Sequence, residues 1–306
     1  MAIRASAPTQ LGNAGQERAV SRQNTLAHWG IQFVKYLVLI FLSVSFILPF
    51  FWMVTSAVKN DAQVFTIPPV WIPIPAHWEN YWNAWNTYNF NGYLFNTVFL
   101  YAIPLTIGVT IASAFVAYGF ARVRWPGRDL FFFACVATMM IPYQVTMVPL
   151  FITFKNLGWI NSYLPLVIPG FFGSPYFIFM LRQFYMTLPQ ELSDAARIDG
   201  ASELGIFGRI ILPLVKPALI VVALFTFMNA WNEYLQPLIY INQEALYPVS
   251  LGINNLRQTM AQIGSQKLAY PYLMSVSTLV TLPIVIAFFF TQRTFIEGIA
   301  TSGLKG

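Results

Sequence analysis

Four carboxylates fall close together in the stretch ELSDAARIDGASELG: Glu191, Asp194, Asp199 and Glu203, out of 11 Asp and Glu in a chain of 306 residues. Carboxylates gathered in this way can work as acids and bases, hold a cation, or grip a basic partner. A metal or catalytic role finds little help elsewhere. The two histidines, His28 and His77, are far apart, and the single cysteine, Cys135, sits in an apolar run. A second group is made of amides. Asn229, Asn232, Glu233 and Gln236 are spaced i, i+3, i+4 and i+7, which on a continuous helix puts all four on one face. Trp231 and Tyr234 neighbour that stripe. Amides and a carboxylate beside flat rings suit a sugar, which offers hydroxyls at its edge and C–H groups on its face. The bland alternative is hydrogen bonding between helices. A third group is IPGFFGSPYF at 168–177, where Gly173 and Ser174 stand among prolines, with Tyr143 and Gln144 beside Pro142 as weaker companions. Such broken helices line solute paths in transporters, or serve as simple kinks.

The elements that must position these groups are membrane spans. The chain is 57% hydrophobic and 9% charged, with a mean hydropathy of +0.59. Apolar runs near 36–56, 93–119, 131–154, 162–181, 217–241 and 272–290 are long enough to cross a hydrocarbon core of roughly 30 Å. The expected fold is therefore an all-α membrane protein with six transmembrane helices. The first run starts well inside the chain and is too long for a cleavable signal, so it reads as a retained anchor. Residues 1–30 are polar, show no clear helical stripe, and read as a flexible cytoplasmic tail. The remainder, 31–306, holds the spans.

The net charge of +6 is a topology signal rather than a nucleic-acid footprint. With the N-terminus inside, 13 Lys and Arg lie in inner segments and only Lys59, Lys155, Arg257 and Lys267 in outer ones. That bias puts both termini in the cytoplasm. The outer segment 57–91 is rich in Pro, Trp and Tyr. It suits an aromatic belt at the membrane interface, or a docking surface for an outside partner.

This orientation places the four acids on the cytoplasmic side. TLPQE resembles a helix start, with Thr187 as cap and Gln190 three residues on. Leu192, Ala195, Ala196 and Ile198 supply an apolar side. Gly200 suits a helix stop, and Ser202 can cap a second short helix leading to Pro213. A connector resting on headgroups would carry Lys and Arg rather than acids. Small residues flanked by acids favour a knob that enters a basic groove on another protein.

The spacing Asp194-Ala195-Ala196, Gly200, Ile210, Leu212-Pro213 resembles the EAA loop of permeases of ATP-binding cassette importers. ELSDAARIDGAS with ILPLVKPAL is similar to the carbohydrate-uptake, maltose-type branch. PPVWIPIPAHWENYWNAW, NAWNEYLQPLIYI and QRTFIEGIATSGLKG extend the similarity over most of 31–306. Asp194 stands where that family usually has Glu, which keeps the charge and loses one methylene of reach. The resemblance implies a coupling loop, 187–213, that inserts into a cytoplasmic ATPase through Glu191, Asp194, Ala195, Ala196, Asp199 and Gly200. It implies no cofactor in this chain, with ATP and Mg held by an ATPase dimer. It implies a second, different permease and an extracytoplasmic sugar-binding protein as partners, in a bacterial or archaeal inner membrane.

Two other classes remain to be set against it. An ion-coupled secondary transporter would use buried acids, and Glu233 is the one carboxylate clearly within a span. A membrane enzyme would need a catalytic motif, and the chain contains no HExxH, no GxSxG and no GxxxxGK[ST].

Overall fold

The computed structural model describes the backbone of residues 13–262 and 269–303, and the side chains of 28–60, 62–259 and 270–292. Among the described residues the regular structure is helical, joined by turns, bends and irregular segments, with no strand. The chain forms two compact units, Met1–Thr55 and Ser56–Gly306.

The first unit is one helix, α1, Asn13–Ala57, which runs on into the start of the second. Its residues from His28 to Phe50 are apolar around the whole circumference and nearly all exposed. A helix of that kind needs lipid or protein on every side. It also begins within the segment read as a tail: helix runs from Asn13, where the sequence shows no apolar stripe. Residues 1–12 lie outside the described residues, as do the side chains of Arg4, Arg18, Arg22, Lys267, Arg293 and Lys305.

Besides two single turns of helix, Asp61–Val64 and Glu244–Leu246, the second unit holds α2 Glu79–Thr87, α3 Phe90–Ala121, α4 Arg128–Met140, α5 Tyr143–Asn156, α6 Leu164–Thr187, α7 Glu191–Ile198, α8 Glu203–Leu214, α9 Lys216–Asn232, α10 Leu235–Tyr240, α11 Val249–Gln262 and α12 Ala269–Gly303. Of the described helices, four (in α1, α3, α6 and α12) are long and apolar enough to cross a membrane. Two bent pairs bring the number to six if each pair crosses as one span.

Those pairs correct the picture of straight spans. The run at 131–154 is two helices, α4 and α5, meeting at 97°. Pro142 takes an extended conformation there, and a proline cannot continue the preceding helix. The second bent pair is α8 and α9, which meet at 80°. The run at 217–241 is interrupted as well, because α9 ends at Asn232. The 168–174 break does form: a tight 3₁₀ turn over Ile168–Phe172 leads to Gly173 at φ +85.

Packing centres on α3. Val109, Ala117, Leu181, Tyr185, Ile206, Ile211 and Val222 join α3, α6, α8 and α9 in one cluster. Close approach depends on glycine: a Cβ on Gly108 would lie 2.7 Å from the ring of Phe171, and one on Gly170 would collide with Leu105. Small residues serve the same purpose wherever membrane helices touch. A second cluster joins Tyr101, Phe154, Tyr163, Leu166 and Tyr240. A third joins Phe90, Tyr93, Val249, Leu256 and Val276. Outside these clusters the surface is strongly apolar: Ile111, Phe131, Phe133 and Phe289 are all at least 60% exposed.

Candidate functional site: an acidic turn and a polar cavity

The acidic turn is built by α7 and α8. The start differs from the reading of TLPQE. Thr187 closes α6, its hydroxyl donating to Phe184 O at 2.8 Å, and α7 opens at Glu191 without a side-chain cap. Its end matches: Gly200 adopts φ +79, and the Ser202 hydroxyl accepts from the Gly205 N–H to open α8. Only glycine takes that left-handed conformation without strain.

The faces of α7 are assigned differently from the sequence pattern. Ser193 and Ala196 face inward, while Leu192, Ala195 and Ile198 look outward with Glu191, Asp194, Asp199 and Gly200. Ile198 is 87% exposed, and Leu204 on α8 is 67% exposed. Apolar groups and acids thus share one outward surface.

The four acids divide into two pairs. Arg197 donates from Nη1 to Asp194 Oδ1 and from Nε to Glu203 Oε1, each at 2.7 Å. The Tyr118 hydroxyl of α3 donates to Glu203 Oε2 at 2.8 Å. Asp194 and Glu203 are thus held largely by their own chain, and the shorter Asp194 still reaches Arg197 at i+3. The bonds to Glu203 hold the Arg197 guanidinium above its usual range. Glu191 and Asp199 make no ion pair among the described residues.

One anchor was not read from the sequence. Arg122, one of the 13 Lys and Arg counted in the inner segments, is 4% exposed. Its Nη2 donates to Tyr185 O at 2.6 Å and Leu188 O at 2.7 Å, and its Nη1 to Gln190 Oε1 at 2.8 Å and Pro189 O at 3.3 Å. The end of α3 therefore clamps the last carbonyls of α6 and the approach to α7. A guanidinium fork suits those carbonyls, which the helix leaves unpaired. Burial draws the Arg122 pKa down from its usual value.

The second feature is a cavity of about 620 Å³ between α3, α5, α6, α9 and α10. Asn229, Asn232, Glu233 and Gln236 all line it, but not as one helical face. The helix stops at Asn232, Glu233 is extended, and its Oε1 accepts from the Gln236 N–H at 3.0 Å, just inside the start of α10. The Ser250 hydroxyl of α11 donates to Glu233 O at 2.7 Å and fixes the break. Tyr143 joins the lining from α5, together with Tyr101, Phe154, Gly170 and Tyr240.

Five expected residues lie elsewhere. Trp231 is buried on the opposite side against Phe227, with ring centroids 5.7 Å apart. Tyr234 and Gln144 are exposed and outside the lining. Gly173 and Ser174 pack on α3, where the Ser174 N–H donates to Ser113 Oγ at 3.0 Å. Tyr101 was missed because it sits in a π-helical turn, Asn96–Ala102, that breaks the 3.6-residue pattern.

Residues 105–300 match the family described as binding-protein-dependent transport system inner membrane component. The chain belongs to that family. The matched segment of this permease family member contains the acidic turn and nearly all of the cavity lining, with Tyr101 just before it. Among its relatives is the probable ABC transporter permease protein YurM of Bacillus subtilis, 32% identical over 84% of this chain and 83% of that one. The arabinooligosaccharides transport system permease protein AraQ of Bacillus subtilis is 32% identical over 87% of this chain and 92% of its own. The sn-glycerol-3-phosphate transport system permease protein UgpE of Yersinia enterocolitica is 32% identical over 89% and 97%. The fold is shared with a chain of a bacterial ABC transporter involved in the import of the acidic polysaccharide alginate. The TM-score is 0.74 at 21% identity, over 87% of this permease and 96% of that chain.

Proposed function

We propose that this chain is the permease subunit of an ATP-driven importer for a sugar, forming one half of the translocation path. It crosses the cytoplasmic membrane six times with both termini inside, counting each bent pair as one span. Its partners are a second, different permease, a dimer of cytoplasmic ATPases that bind ATP and Mg, and an extracytoplasmic binding protein that delivers the solute.

The observation that carries this reading is the acidic turn, which is outward-facing yet firmly fastened. Leu192, Ala195, Ile198, Glu191 and Asp199 are free to enter a groove on the ATPase. Behind them, Arg122 and the Tyr118–Glu203–Arg197 chain tie the turn to α3 and α6. A pull on α7 is therefore passed to the helices that frame the cavity. ATP-driven closure of the ATPases would rock these helices and move the opening from one side of the membrane to the other. The chain itself supplies no phosphate loop.

Co-purification of the tagged chain in mild detergent tests this reading. The expected outcome is an ATPase subunit in the complex, with hydrolysis stimulated by the binding protein loaded with its sugar. Absence of an ATPase turns the reading toward the ion-coupled carrier, for which Glu233 in the cavity is the one supporting feature. Uptake after collapse of the proton gradient at constant ATP separates the two.

A further inference from the structure

Family membership leaves the charge of the solute open, since its relatives include permeases named for an arabinooligosaccharide and for sn-glycerol-3-phosphate. The cavity lining narrows the choice. We propose that this chain's half of the path selects uncharged polyhydroxy solutes, neutral saccharides, over phosphorylated or carboxylated ones, and that Glu233 is the discriminating residue. The proposal rests on the importer reading above.

The lining contains one carboxylate, Glu233, and neither lysine nor arginine. Proteins that hold phosphate or carboxylate in a confined site do so with guanidinium or ammonium groups, which replace lost water with charge-assisted hydrogen bonds. Here an anion would meet the Glu233 carboxylate and no cation among the described lining residues. One Glu233 oxygen is held by the Gln236 N–H, and the second has no hydrogen-bond partner among the described residues. That second oxygen is an acceptor for a hydroxyl, and it repels an anion. The break after Asn232 places the carboxyl group at the cavity wall, where backbone and Ser250 contacts keep it in position.

The remaining lining fits the same ligand class. The amides of Asn229, Asn232 and Gln236 can both donate to and accept from sugar hydroxyls. The Tyr143 hydroxyl is buried near Tyr240 and makes no hydrogen bond of ordinary length among the described residues. Such an orphaned group is costly in an apolar setting, and a solute hydroxyl would satisfy it. Tyr101, Phe154 and Tyr240 add aromatic carbon to the wall, each more than nine-tenths buried. The volume, about 620 Å³, falls within the roughly 300–1,000 Å³ of small-molecule sites.

The test uses the whole detergent-purified complex and saturation-transfer NMR, which reads weak binding without the binding protein. The probes are neutral pentose and hexose oligosaccharides, trigalacturonate and sn-glycerol 3-phosphate. The expected result is binding of at least one neutral member and about 10- to 100-fold weaker binding of both anions, the range for one nearby like charge at intermediate dielectric. Glu233→Gln, which keeps the acceptor for the Gln236 N–H, should raise anion affinity at least tenfold and change the neutral probe by less than about threefold. Tyr143→Phe should weaken the neutral probe and leave the anion-to-neutral ratio as it was. Equal or better anion binding by the unsubstituted complex overturns the proposal. So does an unchanged ratio in Glu233→Gln, or a panel in which no neutral member binds. Failure of the importer reading shows separately, as a purified chain with no ATPase attached.

Discussion

At the scale of single residues, charge in this molecule mostly fastens structure. Arg122 is the clearest case. It is buried and spends its donors on four oxygens of α6 and the following linker. Arg122→Ala would leave those carbonyls without a partner in a dry site. We expect a loss of about 3 kcal/mol or more, read as a lower thermal midpoint of the detergent-purified chain. Arg122→Lys keeps a charge but loses the fork, and should fall between the two. The Arg197–Glu203 pair is half exposed, so its contribution to stability is about 1 kcal/mol or less. Its larger effect should be on coupling. Arg197→Glu and Glu203→Arg singly should reduce transport per ATP hydrolysed. The double exchange should restore part of it, and a double variant no better than either single one would remove the pair from the transmission path.

At the scale of elements, legibility followed local rules and failed where tertiary contact overrode them. Gly200 and Ser202 were readable because a left-handed stop and a side-chain cap are decided by the residues themselves. The inward face of α7 was not. Its apolar residues were expected to pack against the protein, yet Ser193 and Ala196 are buried while Leu192 and Ile198 point away. The helix keeps its greasiest side chains outward, as a surface awaiting a partner would. The amide stripe was legible as a set but not as a helix face. Its residues converge because the chain leaves the helix at Glu233, and nothing in the period marks that break. The adjacent alanines supply a paired test. Ala195→Trp adds bulk to the exposed face and should cut transport at least tenfold while the thermal midpoint holds. Ala196→Trp must force an indole into the α3–α6–α8 core and should lower the midpoint, since overpacking costs about 1–3 kcal/mol. If Ala195→Trp transports normally, the outward face of α7 is not the docking surface.

At the scale of the whole molecule, the inward and outward loops carry the function only if they lie on opposite sides of the membrane. The charge bias argues that they do, and the arrangement of α9 makes the claim testable. The acidic turn precedes α9 and the 241–248 loop follows α10, so one crossing separates them. In a chain whose Cys135 is replaced by serine, Gln243→Cys should react with a membrane-impermeant maleimide added to intact cells. Ala195→Cys should not. Inverted vesicles should reverse the pattern, because both side chains are exposed on the protein and differ only in the side they face. Labelling of both from the same side would mean that α9 and α10 enter and leave by one face. The segment α9–α10 would then be a re-entrant loop, the span count would fall, and an ATPase gripping α7 could no longer move a path that opens across the membrane.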